Sequence, residues 1–98
     1  SVLPGSGFGP VGDRVEGWKW WMKLDALTTS GKGIRVDLEA VGQPGYLTTA
    51  RMLGEAGLML AEAGVTPDGA GCLTPAIALG TGSIDRFERA RMRFSVSA

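Results

Sequence analysis

The sequence predicts an α+β domain of the order β-β-α-α-β, with a small antiparallel sheet of about three strands covered on one face by helices. Three observations carry this prediction. Residues 18–25 and 34–40 alternate strictly between apolar and polar, as half-buried strands do, and residues 92–97 repeat the pattern at the other end of the chain. Between them lies one long segment of helical composition, and after it a short one opened by Thr74-Pro75.

Before the first strand, residues 1–17 are crowded with glycine and proline and have neither period, which predicts a linker or surface loop. Gly5, Gly7 and Gly9 superficially resemble a dinucleotide-binding loop. That loop needs a strand before it and a helix N-terminus after it to aim amides at phosphate, and here Pro4 precedes and Pro10 follows.

The first strand sets Trp18, Trp20, Met22 and Leu24 inward and Lys19, Trp21, Lys23 and Asp25 outward. Trp21 is the exception on the polar face, either laid flat on the sheet or inserted into a partner. Thr28 to Gly33 has the turn residues of a hairpin loop, and the return strand places Ile34, Val36, Leu38 and Ala40 inward. On the outer face Lys19, Lys23, Arg35, Asp37 and Glu39 can pair across the strands.

The long helix is expected from Pro44 to Gly64, where a glycine can take the left-handed conformation and Pro67 lies just beyond. Its polar residues, Thr48, Arg51, Glu55 and Glu62, form one narrow stripe, with Arg51 and Glu55 one turn apart and able to pair. The rest of its circumference is apolar or small. Ala50, Gly54, Gly57 and Ala61 make a ridge in which each interior glycine costs about 1 kcal/mol relative to alanine, so a close backbone contact is expected there. Leu47, Leu53, Leu58 and Leu60 cannot all point at one sheet, because successive residues are about 100° apart. An uncovered apolar patch and self-association as a homodimer, through the hairpin or the helix, are the consequence.

Thr66-Pro67-Asp68-Gly69 is a turn. The second helix is capped by Thr74, starts at Pro75 and is cut short by Gly80-Thr81-Gly82. Ser83 caps a further helical piece with Asp85 near its start and Arg89 and Arg91 near its end, and Met92, Phe94 and Val96 face inward from the last strand.

Composition narrows the function. Ninety-eight residues suffice for one modest core. Ten basic and ten acidic residues cancel, which gives no electrostatic basis for binding nucleic acid. The chain lacks histidine and has one cysteine, Cys72, expected as a small core hydrophobe, so no internal disulfide forms and metal chemistry is set aside. No apolar run is long enough for a membrane helix, no signal peptide is apparent, and a cytoplasmic, reducing setting is expected. A chain starting at Ser1 is expected to be a fragment of a longer protein. No nucleophile and base pair assembles, so no catalytic residue is assigned. The best candidate for ligand contact is Tyr46 with Thr49, in the first turn of the long helix, where hydroxyls and free amides favour a carboxylate or phosphate. A plain cap and a core-edge tyrosine is the alternative.

Several segments taken in order resemble the C-terminal region of the saccharopine dehydrogenase-like NAD(P)-dependent oxidoreductases, the broad family that includes the trans-acting enoyl reductases. These are Leu3-Pro4 with Gly7-x-Gly9-Pro10 and Arg14; Pro44-Gly45-Tyr46 with Thr49-Ala50; Gly71-x-Leu73-Thr74-Pro75-Ala76; and Phe94-Ser95-Val96. The chain departs from the family at Val11-Gly12-Asp13 and at Cys72. The resemblance implies that residues 18–98 are a C-terminal substrate or dimerisation domain, which supplies a substrate-side wall and subunit contacts. It implies no cofactor in this chain, NAD or NADP in the parent protein, and the parent's own N-terminal dinucleotide-binding domain as a partner. The competing expectation is a non-enzymatic interaction or dimerisation module. A strand, glycine turn and helix encoded upstream would favour the enzyme.

Overall fold

The computed structural model describes Leu3 and residues 5–9, 11–82 and 84–98. The flanking Pro4 and Pro10 and the cap expected at Ser83 lie outside these residues. The predicted architecture is present: a three-stranded antiparallel sheet of β1 (Lys19–Leu27), β2 (Gly33–Val41) and β3 (Met92–Ser97), with β2 in the centre. Helical elements lie between β2 and β3. A π-helical turn, Pro44–Thr48, leads into α2 (Thr49–Ala61), which is followed by α3 (Pro75–Leu79) and a 3-10 helix, Ile84–Ala90. One more element was not expected, because the glycine-rich residues 1–17 read as loop throughout: α1 (Asp13–Glu16) is a single turn, tied down by the Gln43 amide donating to the Val15 carbonyl at 2.7 Å.

The register follows the period-two pattern. Trp20 pairs with Ala40 and Ala40 with Met92; Met22 pairs with Leu38 and Leu38 with Phe94; Leu24 pairs with Val36 and Val36 with Val96. All of these apolar side chains therefore share one face. On the opposite face Lys23 reaches Asp37 at 4.0 Å, as the charge pattern predicted, and Arg35 pairs at 2.6 Å with Asp25, which was not among the expected partners. Trp21 is 70% exposed there, with the Lys23 ammonium 5.7 Å above its ring. The hairpin loop is held by Thr28, whose hydroxyl accepts from the Lys32 amide and contacts the Ser30 hydroxyl.

The helices cover only one end of the apolar face. The buried cluster is Leu38, Ala40, Ala90 and Met92, with Trp20, Met52, Phe87 and Phe94 packed around it. The other end is open. Met22 is 54%, Leu24 59% and Val96 67% exposed, so three residues expected in the core stand in solvent, because α2 is too short to lie over both ends of the sheet. Trp18 precedes β1 and is also exposed.

Helix α2 is turned the opposite way from expectation. Thr48 and Met59 are fully buried, Arg51 and Glu55 half-buried, and the inner face therefore carries most of the polar stripe. Ala50, Leu53, Gly54, Gly57, Leu58, Leu60 and Ala61 all face outward. The ridge of small residues meets nothing: a Cβ at Gly54 or Gly57 would have no neighbour within 4 Å. Arg51 does not pair with Glu55 but donates to the Val41 carbonyl at 2.9 Å. Arg86 of the 3-10 helix instead serves α2, with a bidentate bond to Glu62 at 2.7 and 2.9 Å and its Nη2 3.8 Å from Glu55. Cys72 is exposed, not in the core, since the loop after α2 runs over the surface.

The open faces show in the dimensions of the chain. Its radius of gyration is 16.7 Å, against about 13 Å for a compact domain of this length. Its surface of 7658 Å² exceeds the roughly 5300 Å² expected of a compact monomer of this mass.

Candidate functional site

The most constrained part of the molecule is the corner between β2 and α2. Gly42 has φ of 119°, a conformation open to glycine and costly for other residues, and a Cβ there would lie 2.8 Å from Arg51 Nη1 and 3.2 Å from Thr48 Oγ1. Its carbonyl accepts two side-chain bonds, from the Trp20 indole N–H and from the Thr48 hydroxyl, each at 3.1 Å. Its amide donates to the Trp18 carbonyl at 2.6 Å. The adjacent Val41 carbonyl takes the Arg51 guanidinium. Buried backbone groups that a tight turn would leave without partners are thus satisfied by α2 and β1.

The predicted contact pair sits immediately after this corner. Gln43 caps the helical start: its Oε1 accepts the Tyr46 amide at 2.7 Å, and its carbonyl accepts the Thr48 amide at 3.0 Å. The Thr49 hydroxyl donates to the Pro44 carbonyl at 3.0 Å. The Tyr46 ring is 84% exposed and so is not a core-edge residue. Tyr46 lies in the π-helical turn and Thr49 is the first residue of α2, but the amide of Tyr46 and the hydroxyl of Thr49 are both occupied by residues of the same turn. Gln43, which performs the capping, was missed because glutamine is not among the usual N-cap residues.

A second feature had no sequence signal. An open groove of about 680 Å³ runs along the end of the sheet, lined by Lys19, Trp20, Trp21, Glu39, Glu88, Arg91 and Arg93 among others. Arg91 has φ of 58°, the left-handed region, which is rare for a residue with a side chain. The conformation is held from both sides: the Arg91 amide donates to the Glu88 carbonyl and its carbonyl accepts from the Val41 amide. Indole surface beside charges of both signs suits binding of a ligand with a flat apolar body and polar ends. Neither Tyr46 nor Thr49 lines this groove.

Two carboxylates are perturbed, both away from these sites. The guanidinium bonded to Glu62 from Arg86 holds its carboxyl below the usual carboxylate range, and Arg35 does the same to Asp25. Among the described residues no group of three or more acidic or cysteine side chains could hold a metal ion, and no helix is long and apolar enough to cross a membrane.

Comparison with known proteins gives one line of similarity. Two proteins of Mycobacterium tuberculosis, from strains ATCC 25618 / H37Rv and CDC 1551 / Oshkosh, are each 34% identical to this chain over 90 residues, which is 91% of the chain; both are named "Putative trans-acting enoyl reductase". The match spans 22% of the length of each relative, so the chain is similar to one segment of a much longer protein. No family model and no solved structure matches it.

Proposed function

We propose that this chain is the non-nucleotide-binding domain of a saccharopine dehydrogenase-like, NAD(P)-dependent oxidoreductase, contributing a substrate-side wall and subunit contacts. The observation that carries this reading is the similarity along 91% of the chain to a segment of proteins named as enoyl reductases. In this reading the parent reduces an enoyl group, with NAD or NADP held by its own N-terminal dinucleotide-binding domain. Tyr46, with its ring in solvent, and Thr49 beside it supply the substrate-side contact. The groove between Trp21, Glu88 and Arg91 is a second wall that the nucleotide-binding domain would complete.

Two measurements test it. Titration of the isolated chain with NADH or NADPH, followed by fluorescence, is expected to show no saturable binding; saturation at micromolar concentration would overturn the domain assignment. Replacing the matched segment of the Mycobacterium tuberculosis relative with this chain should give a folded, soluble chimera that gives the same result as the unmodified relative when both are titrated with NADPH. An insoluble chimera, beside a soluble relative, would count against a shared domain architecture.

A non-enzymatic interaction or dimerisation module is the second reading. The observation that favours it is the surface beyond that of a compact monomer, an excess on the order of 2300 Å², which is comparable to what obligate interfaces bury.

A further inference from the structure

The free edge of β1 carries a complementary pattern of its own. In the sheet order β1-β2-β3 this strand has, among the described residues, a neighbour on one side only. Two bonds fix the phase of its backbone: the Gly42 amide donates to the Trp18 carbonyl, and the Thr28 amide donates to the Lys32 carbonyl. Even-numbered residues of β1 therefore exchange hydrogen bonds with β2, and the amides and carbonyls of Lys19, Trp21, Lys23, Asp25 and Leu27 point to the open edge. The strand is nine residues long, contains no proline, and is exposed at every position except Trp20. Edges of this length are normally shortened, bulged or covered.

We propose that this edge pairs with the β1 edge of a second copy, antiparallel about a two-fold axis at Leu24, to give a continuous six-stranded sheet. Charge selects the register. With the axis at Lys23 the two ammonium groups would face each other. With the axis at Leu24, Lys23 stands opposite Asp25 of the second copy twice over, and Trp21 stands opposite Leu27, the most exposed apolar residue of the strand. Asp25 uses Oδ1 for Arg35, which leaves Oδ2 for the incoming ammonium. On the other face Leu24 meets Leu24 and Met22 meets Ala26, so the exposed apolar positions of the hairpin join instead of standing alone. A closed two-fold pair also removes the free edge, which an open chain of such contacts would not.

This pairing gives a location to the subunit contacts of the function proposed above and rests on that part alone. Its failure would leave the nucleotide titration, and hence the redox reading, untouched. The test uses the 98-residue chain with Cys72→Ser, to remove the exposed thiol, and compares Leu24→Cys, Met22→Cys and Leu53→Cys under mild oxidation. All three positions are exposed, so folding should persist and is checked by circular dichroism. Expected is a covalent dimer from Leu24→Cys far in excess of the other two. A second variant, Lys23→Pro, removes an outward amide at an edge position where proline is tolerated, and should raise the dimer dissociation constant at least tenfold while the monomer stays folded. Preferential cross-linking through Met22→Cys would refute the register. Cross-linking through Leu53→Cys would place the contact on α2, and a chain that stays monomeric would overturn the proposal outright.

Discussion

The two faces of α2 can be compared residue by residue. On the inner face Thr48, Arg51 and Glu55 meet the Gly42 carbonyl, the Val41 carbonyl and the Arg86 guanidinium, and Met59 is fully buried. On the outer face Leu53, Leu58 and Leu60 stand in solvent around glycines that touch nothing. Thr48 and Arg51 are tolerated on the inside because each is hydrogen-bonded, and a buried polar group with a partner costs far less than one without. Glu55 Oε2 is buried without a hydrogen bond and has only the Arg86 guanidinium 3.8 Å away. Apolar groups on the outside have no such compensation within this chain. The contrast shows that the internal core of the domain is completed at one corner, and that the remaining apolar surface is left uncovered within this chain.

Substitutions on the two faces should therefore differ sharply. The largest effect is expected at Met59: Met59→Ala empties a fully buried site and should destabilise the domain by about 2–5 kcal/mol in denaturant unfolding. A cost below that of an ordinary surface substitution would mean that the inner face is not packed. Next is Gly42→Ala, which strains a left-handed backbone and crowds Arg51 and Thr48, with an expected loss of about 1–3 kcal/mol. Thr48→Val should lose a similar amount by leaving the Gly42 carbonyl with one side-chain donor fewer.

On the outer face the sign reverses. Gly57→Ala meets open space and gains helix propensity, so thermal unfolding should move up by a few degrees, corresponding to about 1 kcal/mol. A lower melting temperature would show a close neighbour on that face. The smallest effect is a dependence on pH at the Arg86–Glu62 link. Because the carboxyl of folded Glu62 titrates below its ordinary value, its contribution to stability is present at neutral pH and is lost as the pH falls through the lowered folded value. The melting curves of the unmodified chain and Glu62→Gln should differ at neutral pH and converge in strong acid. A gap that persists in acid would assign the difference to packing.

Strands were the most legible part of the fold, since an alternation of apolar and charged residues has one face to bury, while their order and register came only with the structure. The Thr74-Pro75 helix start was equally legible, and the structure shows the Thr74 hydroxyl accepting the Ile77 amide. The orientation of α2 was not legible. A polar stripe reads as the solvent face unless its partners are known, and those partners are backbone carbonyls of residues 41 and 42 and an arginine at position 86, which no helical periodicity can reveal. For the same reason Tyr46 and Thr49 could be placed at the helix entry, while the use of their amide and hydroxyl by Gln43 and Pro44 could not. The groove at Arg91 depends on a left-handed backbone at a residue type that rarely adopts it.

The central claim is that the outer face of α2 and the open end of the sheet are surfaces for a partner. Sedimentation equilibrium of the isolated chain from low micromolar to millimolar concentration tests it most directly. The account predicts reversible association whose extent rises with concentration. A strictly monomeric chain over the whole range, with an unchanged fold, would contradict it.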